Sequence, residues 1–171
     1  INAALRAGVD SIEHGSYADK ESVRLFKKTG AYLVPTLLAG HTVMKMAKES
    51  DFMSDAIKVK AIDVSSAMAG NFTKAYEAGV NIAYGTDSGV SRHGTNAYEA
   101  ILMYEAGMSA SDILKSATVN AADLIDHSDS LGTVEPGKHA DIIATALSPL
   151  KDITALLKVD FVMKGGVIVK Q

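Results

Sequence analysis

The segment Val80-Asn81-Ile82-Ala83-Tyr84-Gly85-Thr86-Asp87-Ser88-Gly89 decides the fold class. Read as a strand, it puts Asn81, Ala83, Gly85 and Asp87 on one face and Val80, Ile82 and Tyr84 on the other. The small-residue face suits the crowded interior of a barrel. The large-residue face suits packing under helices. Asp87 then ends the strand pointing inward, and the glycines on either side let the backbone bend tightly. A carboxylate so placed can bind a metal and accept a proton from water. It can equally cap the next helix or close an Asx-turn.

Working upstream, Val9 to His14 and Ala31 to Pro35 read as two further short strands. A helix end precedes the first, stopped by Gly8. A helix opening at Asp19 lies between the two, with Lys27-Lys28 in its last turn and Gly30 as its stop. From about His41 to Ala78 the pattern is helical, with a break near Ser50-Asp51. Downstream, Asn96 with Glu99 and Ser109 with Asp112 have capping-box spacing. Asn120 is placed to cap a third short helix through Leu124. Strands alternating with helices call for a parallel sheet with right-handed crossovers.

After about Asp126 the texture changes. Glu135-Pro136-Gly137-Lys138 reads as a turn, Ala140 to Ala144 as a strand, and Asp152 to Lys158 as one or two helical turns. Val159 to Lys164, Gly165-Gly166 and Val167 to Lys170 read as a two-residue hairpin. The expected organisation is an α/β unit over 1–126 and a small β unit over 127–171.

Composition narrows the function. The 171 residues carry 17 Lys plus Arg against 20 Asp plus Glu, a net charge of −3. No basic patch stands out, so nucleic acid is not an expected partner. No apolar run is long enough for a membrane span. With 0 cysteines, disulfides, thiolate nucleophiles and cysteine-based zinc sites are excluded. No basic leader followed by an apolar segment is visible, which suggests a cytoplasmic protein. The length is below the roughly 250 residues of a complete (β/α)8 barrel.

Other groups are candidates for chemistry. In Ser11-Ile12-Glu13-His14-Gly15, alternation puts Asp10, Ile12 and His14 on one face, with His14 at the carboxyl end of the strand. Functional groups of parallel α/β folds sit at such ends, where a neutral imidazole can bind a metal. A buried, hydrogen-bonded histidine is the alternative. Arg92 and His93, in the loop after Asp87, could hold a substrate carboxylate, with Asn96 capping the helix that follows. His41 reads as a loop residue. His127 and His139 read as solvated or structural, and Glu13 as structural.

Together these segments resemble the amidohydrolase superfamily, closest to its Xaa-Pro dipeptidase-like and imidazolonepropionase-like metal-dependent hydrolases. The resemblance is carried by Ala7 to Gly15, Gly85 to Gly89, His93 to Asn96, Ala117-Thr118 and Asn120 to Ala122. Leu131 to Lys138, Ala140-Asp141 and Val162 to Gly166 complete it, in the family's order over nearly the whole chain. It implies α/β architecture: the last three βα units of a (β/α)8 barrel, strands six to eight, plus the carboxyl-terminal strands of a small β-sandwich. By the same resemblance, His14 binds the more exposed metal of a binuclear pair, expected to be zinc. Asp87 binds the more buried one and shuttles a proton. The implied reaction is attack of metal-bound hydroxide on the amide of a dipeptide or N-acyl amino acid.

The family's His-x-His pair, bridging lysine and strand-five histidine have no counterpart in this sequence. The resemblance therefore implies a missing amino-terminal half of the barrel, and little or no hydrolysis by these 171 residues alone. The alternative expectation is a non-catalytic half-barrel that serves as an oligomerising or binding module, since three strands leave open edges and an uncovered apolar face.

Overall fold

The structure, a computed structural model, describes residues 1–49 and 53–171. Three parallel strands, β1 (Ser11–Glu13), β2 (Tyr32–Val34) and β3 (Asn81–Ile82), lie in the order β1-β2-β3. The helices of this unit are α1 (Asn2–Ala7), α2 (Lys20–Thr29), α3 (Leu37–Glu49), α4 (Asp55–Glu77), α5 (Tyr98–Glu105), α6 (Ala110–Ser116) and α7 (Val119–Leu124). The expected break between α3 and α4 at Ser50-Asp51 lies outside the described residues.

Pairing of Ile12 with Leu33 and of Leu33 with Ile82 sets one apolar row across the sheet. Leu33 and Ile82 are buried, and Ile12 packs against the same cluster with Phe26, Phe72 and Met103. Burying each such side chain stabilises the fold by roughly 1.5–3 kcal/mol. The face carrying Val80, Ile82 and Tyr84 packs on this core, as their size suggested.

Helix α2 begins where the sequence puts it. Asp19 Oδ1 accepts from the Ser22 N–H at 2.7 Å, and Ser22 Oγ accepts from the Asp19 N–H at 3.1 Å. That Ser22 N–H bond holds the Asp19 carboxyl below its ordinary pKa. Gly30, at φ 78°, closes the helix.

Four local expectations fail, each because a tertiary partner takes the group. The ladder of β3 covers only Asn81–Ile82, because the Tyr84 N–H is taken by the Ser116 carbonyl at 3.0 Å and not by a strand. Asn96 and Glu99 form no capping box: Ala97 is the N-cap of α5, and both side chains reach elsewhere. Asn120 lies inside α7 and donates to the Ile82 carbonyl at 2.8 Å, tying helix to sheet. His41 lies in α3, its ring 5.7 Å from that of Tyr98. Ser109 does cap α6, accepting from the Asp112 N–H at 3.1 Å.

The tail forms an antiparallel sheet of β4 (Ile142–Ala144), β5 (Phe161–Lys164) and β6 (Val167–Lys170). Gly165 and Gly166 both adopt positive φ, 56° and 82°, as a tight two-residue hairpin turn requires. Asp141 fastens this turn by accepting from the Gly165 N–H at 2.7 Å and pairing with Lys164. Between β4 and β5 a 3-10 helix, Ile153–Leu157, packs on α5 and adds Ile153 to the main core. Among the described residues no helix is long and apolar enough to cross a membrane.

Candidate active site

The carboxyl ends of the three parallel strands share one unusual property. The chain turns left-handed at His14 (φ 68°), Thr36 (φ 49°) and Asp87 (φ 50°), none of which is glycine. L-residues avoid this region, and holding one there costs on the order of 1–3 kcal/mol. Such a cost is retained where the surroundings enforce it, and it clusters at functional sites.

Two glycines make room for the bends. A Cβ on Gly15 would meet Leu33 Cδ1 at 2.5 Å, and one on Gly85 would meet Val34 Cγ1 at 2.4 Å. Both contacts are to β2, so the backbone beside His14 and ahead of Asp87 lies tight against the middle strand.

The left-handed turn corrects the reading of His14. Strict alternation would put its ring on the face of Ile12, which is packed on the core. The turn takes His14 out of that series, and its ring lines an open cavity together with Asp87. Its Nδ1 lies 2.6 Å from Thr36 Oγ1, whose hydroxyl donates to the Pro35 carbonyl at 2.8 Å. The arrangement that satisfies all three groups is Nδ1–H donating to Thr36, which leaves the Nε2 lone pair available. This is the support that orients metal-binding histidines.

Asp87 is held through its neighbours. Asn96 Nδ2 donates to Thr86 Oγ1 at 3.1 Å and to Ser88 Oγ at 2.8 Å, and these two hydroxyls are 3.0 Å apart. The clamp closes over both sides of Asp87 and leaves its carboxylate exposed. Close by, Ser91 Oγ is buried with no hydrogen-bond partner among the described residues.

A buried carboxylate anchors the start of α3, whose Ala39, Gly40 and Val43 line the cavity that His14 and Asp87 share. Glu99 is fully buried, and its two oxygens accept from the Leu37 N–H at 2.8 Å and the Leu38 N–H at 2.6 Å. It thus satisfies two of the open donors at the start of α3, directly after Thr36. Burial outweighs these two bonds and pushes its pKa up to about 7. Tyr84 donates to the Asn96 carbonyl at 2.7 Å, and burial, then the Glu99 charge, raise its pKa far above the usual phenol range.

The structure brings His14 and Asp87 to one cavity of about 360 Å³. Arg92 and His93 lie in the exposed turn beyond Asp87 and do not line it. A larger apolar cleft of about 700 Å³, near α6 and β4, is lined by no histidine or carboxylate among the described residues. Among the described residues no group of three or more His, Cys, Asp or Glu side chains is placed to hold a metal. The donor chemistry nonetheless suits a borderline divalent metal: an imidazole nitrogen with a free lone pair and an unencumbered carboxylate. They supply part of a ligand set, which in a catalytic zinc site takes three protein groups.

The supporting residues Thr36, Asn96 and Glu99 were not singled out for these roles by the sequence. Thr36 falls just beyond the Ala31 to Pro35 strand with nothing local to mark it, and the capping-box spacing of Asn96 and Glu99 hides their tertiary partners.

The profile of the amidohydrolase family matches residues 1–169. Ochratoxinase of Aspergillus niger is 34% identical over 175 aligned positions, covering 99% of this chain and 36% of that protein. Its crystal structure superposes with a TM-score of 0.85 at 32% identity, over 98% of this chain and 39% of that one. A crystal structure of a Xaa-Pro dipeptidase with methionine bound in its active site superposes with a TM-score of 0.94 at 44% identity. That match covers 98% of this chain and 41% of the dipeptidase. The chain thus spans about two fifths of the length of these relatives. By its matched length and its α/β architecture, the chain belongs to the amidohydrolase family.

Proposed function

We propose that this chain is the carboxyl-terminal part of a metal-dependent hydrolase that cleaves the amide bond of a dipeptide or N-acyl amino acid. In this reading β1, β2 and β3 are strands six to eight of a (β/α)8 barrel. Residues 1–126 belong to the barrel and 127–171 to a small β-sandwich. The observation that carries it is the convergence of His14 and Asp87, each in a strained left-handed turn after a parallel strand, on one cavity. The likeness to a Xaa-Pro dipeptidase with methionine bound in its active site supports an amino-acid-sized ligand.

His14, through Nε2, and Asp87, through its carboxylate, would hold the metal, with further ligands from strands upstream of this chain. A bound zinc ion supplies Lewis acidity toward the amide carbonyl and makes water more acidic at neutral pH. Thr36 keeps the His14 ring in its metal-ready tautomer. Asp87 takes the proton of the attacking water and returns it to the departing amine. Arg92 and His93, expected from the sequence to hold a substrate carboxylate, lie outside the cavity and take no part in this reading. Turnover requires the upstream half, and these 171 residues alone are expected to give little or none.

The test is an assay of the longer polypeptide containing this segment, loaded with zinc, on Xaa-Pro dipeptides and N-acyl amino acids. We expect turnover, and a loss of about 10²–10⁴ in kcat/KM for Asp87→Asn. Absence of both hydrolysis and bound metal would overturn the reading. A second reading, a non-catalytic oligomerising or binding module, is favoured by the incomplete ligand set and by the exposure of all four β6 residues. A metal-loaded, active monomer of the longer polypeptide would rule it out.

A further inference from the structure

Helices α3 and α4 fill the connection between β2 and β3, and their inner faces wall the cavity at His14 and Asp87. We propose that this wall is the pocket for the departing amino acid, and that Lys60 on α4 takes its free carboxylate. The substrate class is then an amide of an amino acid with an apolar side chain and an unblocked carboxyl end. The inference rests on the reading of His14 and Asp87 as the reaction centre.

The pocket is built, not incidental. Its volume of about 360 Å³ falls within the roughly 300–1,000 Å³ of small-molecule sites. Ala39 and Val43 of α3 and Ala61, Val64 and Met68 of α4 give it an apolar lining. Glu99 fixes the start of α3 through the Leu37 and Leu38 N–H groups. Gly40 lets the helices close, since a Cβ there would meet Met68 Sδ at 2.9 Å. Ser65 Oγ donates to the Gly40 carbonyl at 2.8 Å across that contact. A wall held this way needs little ordering when a ligand enters, which favours binding.

Charge sets the direction of the ligand. Among the described residues lining the cavity, Asp87 is the one carboxylate and Lys60 the one lysine or arginine. Lys60 is the lining side chain able to pair with a substrate carboxylate. The amide is thereby directed toward His14 and Asp87, and the apolar side chain toward the wall. The methylene stem of Lys60 can lie along that apolar surface while its ammonium stays exposed.

The experiment compares acetate release from N-acetyl-L-leucine and N-acetyl-L-leucinamide by the zinc-loaded longer polypeptide, by Lys60→Met and by Lys60→Arg. Wild type should prefer the free acid. Lys60→Met should raise KM for the acid roughly ten- to a hundredfold, as expected for one lost charge-assisted hydrogen bond. It should leave kcat and the amide unchanged, and Lys60→Arg should restore most of the preference. A Lys60→Met enzyme that keeps the preference, or loses activity on both compounds equally, overturns the proposal. So does loss of the preference in Arg92→Ala in place of Lys60→Met. If wild type hydrolyses neither compound nor any dipeptide, the hydrolase reading fails separately, and calorimetry with L-leucine and L-leucinamide still decides the pocket. Weaker binding of L-leucine alone by Lys60→Met supports it, and no difference overturns it.

Discussion

The parallel sheet β1–β3 and the antiparallel sheet β4–β6 are each three-stranded, and each needs left-handed residues where its chain turns. In the tail those positions are filled by Gly132, Gly137, Gly165 and Gly166. After the parallel strands glycines share them, Gly15 and Gly89, but His14, Thr36 and Asp87 occupy them too. Glycine adopts this conformation without strain, whereas a side chain makes it costly. A glycine would make each of these bends easily, which is why the side chains kept there are the ones proposed for the site. The imidazole, hydroxyl and carboxylate converge where the sheet presents its carboxyl edge. The tail instead follows the plain rules of a hairpin and leaves Val167, Ile168 and Val169 half or more exposed.

The contrast is open to test by substitution in the longer polypeptide. The largest effect on stability is expected at Glu99. Glu99→Ala would leave the Leu37 and Leu38 donors buried and unpaired, a loss of about 2–6 kcal/mol at roughly 1–3 kcal/mol each, read by urea unfolding. Glu99 also gives stability a pH dependence of definite sign. Its folded pKa of about 7 lies above its ordinary value of 4.5, so the folded form binds the extra proton. The contribution is therefore fully present below about pH 4.5 and is lost as the pH rises through about 7. Glu99→Gln should flatten the wild-type slope across that window. An unchanged slope would remove Glu99 as its source.

Asn96→Ala comes next. It frees the hydroxyls on both sides of Asp87 and should weaken zinc binding by roughly tenfold, the low end for residues that support a metal ligand. Metal titration against a chromophoric chelator reads this directly, and unchanged affinity would show that Asp87 needs no clamp. The smallest effect is expected in the tail. Val169, 65% exposed, should tolerate threonine within about 0.5 kcal/mol. A much larger loss in the longer polypeptide would show that upstream chain covers β6.

What the sequence disclosed follows the same division. Alternation, glycine stops and the Gly165-Gly166 turn marked the parallel strands and the tail hairpin, because these depend on neighbours in the chain. The residue types and strand-end positions of His14 and Asp87 were legible as well. The direction of His14 was not, because a single left-handed residue cancels alternation and nothing in the local text announces it. The roles of Asn96, Glu99 and Asn120 were hidden for a related reason. Their spacing satisfies a local rule, while partners 8 to 62 positions away in the chain take the side chains. The extent of β3 was overread because alternation reports facing, and only a partner strand makes a ladder.

The Glu99 anchor also bears on how such a protein can diversify. It grips the first two backbone N–H groups of α3, Leu37 and Leu38, and makes no demand on the side chains further along the α3–α4 hairpin. Substitutions, or changes in hairpin length beyond that root, can reshape the cavity wall while the turns at His14, Thr36 and Asp87 stay fixed. Selection for a new substrate could thus act on one excursion of the chain without disturbing the residues proposed to hold the metal.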